Sequence, residues 1–140
     1  MYRSHLRRRG ASAIEFALCM PFVVTLLGGI VDGGIHIATM HAVSRAARDG
    51  ARVGSTTVES FPATGNAILA AAKSSADASM VAAGFSGTNY KSVVTWKPDT
   101  TGLYWVRVTV TGKTTPFFGT LTPFRGNLTQ SFTMVTQEQP

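Results

Sequence analysis

Glu15 is the only charged residue between Ala11 and Val31, and it stands near the start of a run apolar enough to be buried in lipid. A carboxylate in such surroundings is costly unless a positive group meets it. Glu15 is therefore the first residue of this chain that calls for a chemical purpose. Arg7, Arg8 and Arg9 precede it, and Phe16 to Val31 follows it with sixteen uncharged residues. A soluble helix opening on an acidic residue would gain from the helix dipole, but it would not need so apolar a continuation.

The remaining chemistry-bearing residues are few. Arg45, Arg48, Asp49 and Arg52 follow one another at helical spacing, so that Asp49 meets Arg45 at i,i+4 and Arg52 at i,i+3 on one face. Such an exposed network is worth little energetically. It reads either as a contact for a partner or lipid headgroups, or as a solvated face where the helix leaves a membrane. Asp32 and His36 are one turn apart, but two ligands without a third make a poor metal site, and His41 is out of phase with both. No metal and no cofactor is expected. Beyond Gly54 the acidic residues are only Glu59, Asp77, Asp99 and Glu138, with no histidine, no paired carboxylates and no phosphate-binding loop. An enzyme is not expected.

The elements that must carry these residues follow from periodicity. Gly34, Ala38, Ala42, Ala46, Gly50 and Gly54 recur every four residues, with Gly29 and Gly33 as a small-xxx-small pair before them. Four residues advance ~400° on a helix, so the seam drifts slowly around the cylinder and suits close crossing by another helix. A helix over 11–53 is expected, with Pro21 and the glycines at 28, 29, 33 and 34 as bends or melted turns. Residues 54–64, rich in Ser, Thr and Gly with Pro62, read as a linker. Ala63 to Gly84 reads as a second helix with Leu69, Ala72, Ala76, Met80 and Ala83 on one stripe. Strands are expected at Tyr90–Lys97, Leu103–Thr111 and Leu128–Thr136, the first two joined by a turn at Pro98–Gly102. The fold class is α+β: a long N-terminal transmembrane and extended helix, then a head over 65–140 with one helix on a three-stranded antiparallel sheet. Thr115-Pro116-Phe117-Phe118 and Thr122-Pro123-Phe124 place three phenylalanines in a loop, either as a contact site or folded back to cap the core.

Gly10-Ala11-Ser12-Ala13-Ile14-Glu15-Phe16 resembles the cut site of a type IV pilin precursor. The longer stretch from Gly10 to Arg52 resembles the N-terminal region of TadE-like proteins, minor pilins or pseudopilins of tight-adherence pilus systems. The matching pieces are Arg9-Gly10, Ile14-Glu15-Phe16-Ala17-Leu18, Pro21, Gly29-Ile30-Val31-Asp32-Gly33-Gly34 and Ala46-Ala47-Arg48-Asp49-Gly50-Ala51-Arg52. Family members often carry glutamate where this chain has Asp32 and Asp49. The resemblance implies cleavage between Gly10 and Ala11 by a prepilin peptidase, which removes a leader over 1–10. The freed α-amino group of Ala11 then lies near Glu15 of the same or a neighbouring subunit, and Glu15 and Phe16 become assembly residues. It also implies residence in the bacterial inner membrane, pilus assembly or priming for adherence, and partnership with other pilins and the inner-membrane assembly platform. The Val106–Val110 strand and Thr115-Pro116-Phe117 resemble the family's C-terminal part less specifically.

Charge agrees with that orientation. The net charge of +6 invites a nucleic-acid reading, but Arg3, Arg7, Arg8 and Arg9 all precede the cut and leave nine basic against seven acidic residues. No nucleic acid is expected as a partner. The N-terminal arginines instead hold that end in the cytoplasm and the head outside. Cys19 has no partner for a disulfide within the chain. Leu18 before it argues against lipidation, and Gly10-Ala11-Ser12 after Arg8-Arg9 argues against twin-arginine export. An ordinary signal peptide ending at Ala42-Val43-Ser44 and an uncleaved anchor remain open. Either would make the chain a secreted or anchored extracytoplasmic binding module unrelated to pili.

Overall fold

The computed structural model describes residues 4–57, 65–98, 104–118 and 126–135, with side chains from Ala11 onward. Helix α1 runs from Ser4 to Thr56 without a break, ~80 Å at 1.5 Å per residue. The expected melted turns at Pro21 and the glycine pairs are absent. Ile35 to Arg48 offers no breaker, and at Pro21 the helix continues with Thr25 Oγ1 donating to the Pro21 carbonyl at 2.8 Å. Gly54 to Thr56 belongs to α1 rather than to a linker, and the rest of the expected linker, from residue 58 to 64, lies outside the described residues.

Helix α2 spans Asn66–Ala82 and stops in a Schellman arrangement. Phe85 N–H donates to the Met80 carbonyl at 3.1 Å, and Gly84 N–H to Val81 at 2.9 Å. Gly84 takes φ +87°, a conformation in which a Cβ is strained, and this is why the helix ends there. The buried stripe is Ile68, Ala72, Ala76 and Met80. Leu69 is only half-buried and Ala83 is exposed, because the stripe faces one residue earlier at its start and the helix has ended before Ala83.

Strands β1 (Tyr90–Pro98), β2 (Tyr104–Thr114) and β3 (Gly126–Val135) form an antiparallel sheet in sequence order, so β2 is central. Val108 lies opposite Val94 on one side and Phe132 on the other. The expected strands are met, β2 extending three residues further to Thr114. Leu103, Thr136, the turn from 99 to 102 and the loop at Thr122-Pro123-Phe124 lie outside the described residues.

Both helices cover one face of the sheet. Val43, Ala46, Ala47 and Ala51 of α1, Ile68 to Met80 of α2 and Val106, Val108 and Val110 of β2 form the core, flanked by Phe85, Tyr90, Val94, Trp96 and Met134. The other face is a polar ladder, with Thr109–Ser131 and Thr111–Thr129 hydroxyl pairs at 2.9 and 3.0 Å. Asp77 joins α2 to the sheet edge by accepting from Ser92, and it also accepts from Lys73 one turn earlier in its own helix.

β2 runs antiparallel along α1, and the two repeats keep step. A Cβ on Gly54 would meet Val106, one on Gly50 would meet Val108, and one on Gly112 would meet Val43 and Thr39. Two strand residues advance ~6.6 Å and one helical turn of four residues ~6 Å. The strand thus delivers whatever follows Thr114 back down the helix toward its apolar half.

Candidate functional site

Two regions of α1 carry the candidate chemistry, divided near Gly28. From Ala11 to Leu27 every residue is exposed, including the large apolar Ile14, Leu18, Phe22, Leu26 and Leu27. Glu15 and Phe16 lie on this bare surface, Phe16 at 64% exposure. α1 is long and apolar enough to cross a membrane, and its most apolar window is almost wholly uncovered by the rest of the chain. Gly10 and Ala11 fall within the continuous helix. Cys19 is exposed as a free thiol.

At the second region α1 meets the end of β2. Asp32 is 1% exposed, the one buried carboxylate of this helix among the described residues. Its Oδ1 accepts the backbone N–H of Phe117 at 2.7 Å, and its two oxygens accept that of Phe118 at 3.4 and 3.3 Å. One turn earlier Gly28 supplies the seat for Phe118: a Cβ there would lie 2.9 Å from the ring. Phe117 stands edge-on to Phe118 at 5.3 Å and remains 78% exposed. Reach explains why these groups meet. From Val43 back to Asp32 the helix covers ~16 Å in eleven residues, and five extended residues from Gly112 to Phe117 cover the same ~16 Å. Phe124 of the expected aromatic loop lies outside the described residues, and the Phe117–Phe118 turn does not hang free. It is hooked onto α1.

The small-residue seam divides in the same way. Ala46, Gly50 and Gly54 are buried, Gly29, Gly33 and Ala42 half-buried, and Gly34 and Ala38 exposed. A Cβ on Gly50 would lie 2.8 Å from the Ala72 carbonyl oxygen and 3.0 Å from Ala76 Cβ, so the helix crossing this part of the seam is α2 of the same chain. Gly34 has no neighbour within 4 Å of such a Cβ. Around Gly34 and Ala38 the seam is exposed.

The charged cluster is less of a unit than its spacing predicts. Arg45 pairs with Asp49 at 3.7 Å, and Asp49 also accepts from Ser79 of α2 at 2.9 Å. Arg48 turns to Ser44 at 2.9 Å and lies over the Phe132 ring of β3 at 5.6 Å. Arg52 makes no ion pair with Asp49 and lines an open depression between the helices with Ser75 and Ser79. Asp49 and Arg48 thus tie α1 to the head, while Arg45 and Arg52 stay available to solvent. Asp32, one turn before His36, accepts from the loop amides, and among the described residues no group of three metal-ligating side chains is found.

Comparison with known families singles out this same helix. The model for TadE-like proteins matches residues 10–52. The chain has a TadE-like N-terminal segment. This match takes in Glu15, Asp32 and the seam as far as Gly50, and stops four residues before α1 ends. α2 and the sheet lie beyond the matched segment, including the Val106–Val110 strand. Neither a curated protein nor a solved structure matches the chain.

The role of Asp32 escaped the sequence reading because its donors lie 85 and 86 residues away. One signal was available: a carboxylate closing an uncharged run needs hydrogen-bond donors if it is buried, and backbone amides are common ones.

Proposed function

We propose that this chain is a minor pilin or pseudopilin of a Tad-type pilus. A prepilin peptidase cuts between Gly10 and Ala11, and the helix from residue 11 to 53 holds the mature chain in the inner membrane with its N-terminus cytoplasmic. The head, over 65–140, stands outside. Glu15 then pairs with the new α-amino group of its own or a neighbouring Ala11, and the subunit joins other pilins at the inner-membrane assembly platform to build or prime the filament for adherence.

The observation that carries this reading is Glu15 on the uncovered apolar surface of the TadE-like helix. No described residue of the head bonds to it, which favours a stabilising partner in lipid from the chain's own terminus or from another subunit. The exposed Gly34 and Ala38 offer a close-approach surface for that subunit's helix. Arg45 and Arg52 face solvent ~20 and ~30 Å along the helix beyond Asp32, in reach of partners.

N-terminal sequencing of the chain recovered from membranes is the test. Ala11 as first residue is expected in the parent, and Met1 in Gly10→Val, whose side chain fills the space a peptidase subsite would leave for glycine. A parent chain beginning at Arg45 identifies ordinary secretion, and one beginning at Met1 an uncleaved anchor; either result removes the pilin reading. In the processed chain Glu15→Leu should stay in the membrane yet fail to support pili.

A further inference from the structure

The hooked turn at Thr115–Phe118 sits at a particular depth. From Ala11 to Val31 the helix covers ~30 Å, the thickness of a bilayer's hydrocarbon core, so Asp32 falls at its outer edge. Gly28, where Phe118 is seated, lies ~6 Å to the lipid side of Asp32. Phe117 continues outward from there with 78% of its surface bare.

We propose that this turn is a lipid-interface wedge: Phe117 inserts between the outer-leaflet acyl chains beside α1 and fixes how deeply the helix is held. The inference rests on the membrane-anchored reading of α1.

Three observations favour lipid as the occupant. Irregular backbone is tolerated at that depth only if its polar groups are satisfied. Pro116 has no N–H, and those of Phe117 and Phe118 are both taken by Asp32, so these three residues present no bare N–H to lipid. The carboxylate that accepts them is itself buried, so its charge does not face the acyl chains. Finally, the sequence carries no charge between Lys113 and Arg125, and Lys113 is exposed at the strand end just above the turn, in the position to meet headgroup phosphate. An apolar aromatic tip buried ~5–10 Å beneath the headgroups, with cations above it, is the arrangement by which interfacial segments bind membranes.

The test uses the full chain carrying Cys19→Ser and one environment-sensitive fluorophore, attached in separate samples at Phe117→Cys, Leu26→Cys or Lys97→Cys. Each is reconstituted into phosphatidylethanolamine–phosphatidylglycerol vesicles containing nitroxide lipids labelled either near the headgroup or near the chain end. Lys97, exposed and paired with Trp105, lies ~30 Å along the sheet from Thr114 and reports the aqueous side. The expected result is strong quenching of the Leu26 probe by the deep nitroxide. The Phe117 probe should be quenched several-fold more than the Lys97 probe by the shallow nitroxide. Adding Asp32→Ala should lower quenching at Phe117 and leave Leu26 unchanged. Quenching at Leu26 but none at Phe117 overturns the wedge while leaving the anchor intact. A blue-shifted, unquenched Phe117 probe means that protein covers the turn, which also overturns it. If Leu26 is unquenched, the anchored reading fails and the wedge falls with it.

Discussion

A carboxylate with 1% of its surface exposed has to be held by donors, and Asp32 draws its donors from the far end of the chain. Replacing it removes the acceptor for two amides at once. Asp32→Ala should cost about 1–3 kcal/mol, the usual penalty for leaving buried donors unsatisfied. Asp32→Asn keeps one carbonyl acceptor and should lose less. Chemical denaturation of the two variants in a common detergent decides this, and equal loss in both would mean that the hydrogen bonds carry little of the effect. Glu15 is the opposite case, a carboxylate exposed on an apolar surface with no role in holding the head. Its replacement by Leu should leave head stability within about 0.5 kcal/mol of the parent, as for a surface change away from structural features. The spacing of residues in sequence made Glu15 legible because its oddity is local. Asp32 is equally odd, but spacing alone pairs it only with His36, and its amide partners depend on β2 lying along α1. No local pattern encodes that.

At the scale of elements, one seam of small residues has two fates. Around Gly50 it is filled by α2, and a Cβ there would press on the Ala72 carbonyl oxygen at 2.8 Å. Gly50→Val should therefore separate the helices and destabilise the head by about 1–3 kcal/mol, the range seen for overpacking. Around Gly34 nothing stands within 4 Å, so Gly34→Ala should stabilise α1 by up to about 1 kcal/mol through helix propensity. Thermal melts followed by circular dichroism separate these opposite signs, and a loss in both would show that the open half is covered in the folded protein. The four-residue spacing was enough to mark a close-packing surface, but it could not say whose helix fills it. The strands were legible for a firmer reason: Val106, Val108 and Val110 alternate with Arg107, Thr109 and Thr111, and only a one-sided sheet uses that pattern. Continuity through Pro21 and the glycine pairs was harder to read. Breaker residues act on local propensity, whereas α1 also gains from the packing of its distal half on α2 and the sheet.

The whole molecule is a head built around the distal half of its own anchor. The core uses α1 only from Val43 to Ala51, the hook extends that dependence to Asp32 and Gly28, and from Ala11 to Leu27 the helix buries nothing. Anchor and head are therefore separable energetically at a definite place, which can be found by shortening the chain. A fragment beginning at Leu26 removes, among the described side chains, only exposed ones and should unfold within about 0.5 kcal/mol of the parent when both are held in the same mild detergent. A fragment beginning at Ile35 keeps every core residue but takes away both the acceptor for the Phe117 and Phe118 amides and the seat of the Phe118 ring. It should lose about 1–3 kcal/mol, with the cut in the turn after Thr114 becoming the first to appear in limited proteolysis. The two fragments differ by nine residues that contain Gly28 and Asp32. Adding Asp32→Ala to the longer one should then reproduce most of the loss. If the longer fragment is already as unstable as the shorter, the bare half of the helix supports the head by contacts other than these, and the division of the molecule at Gly28 is wrong.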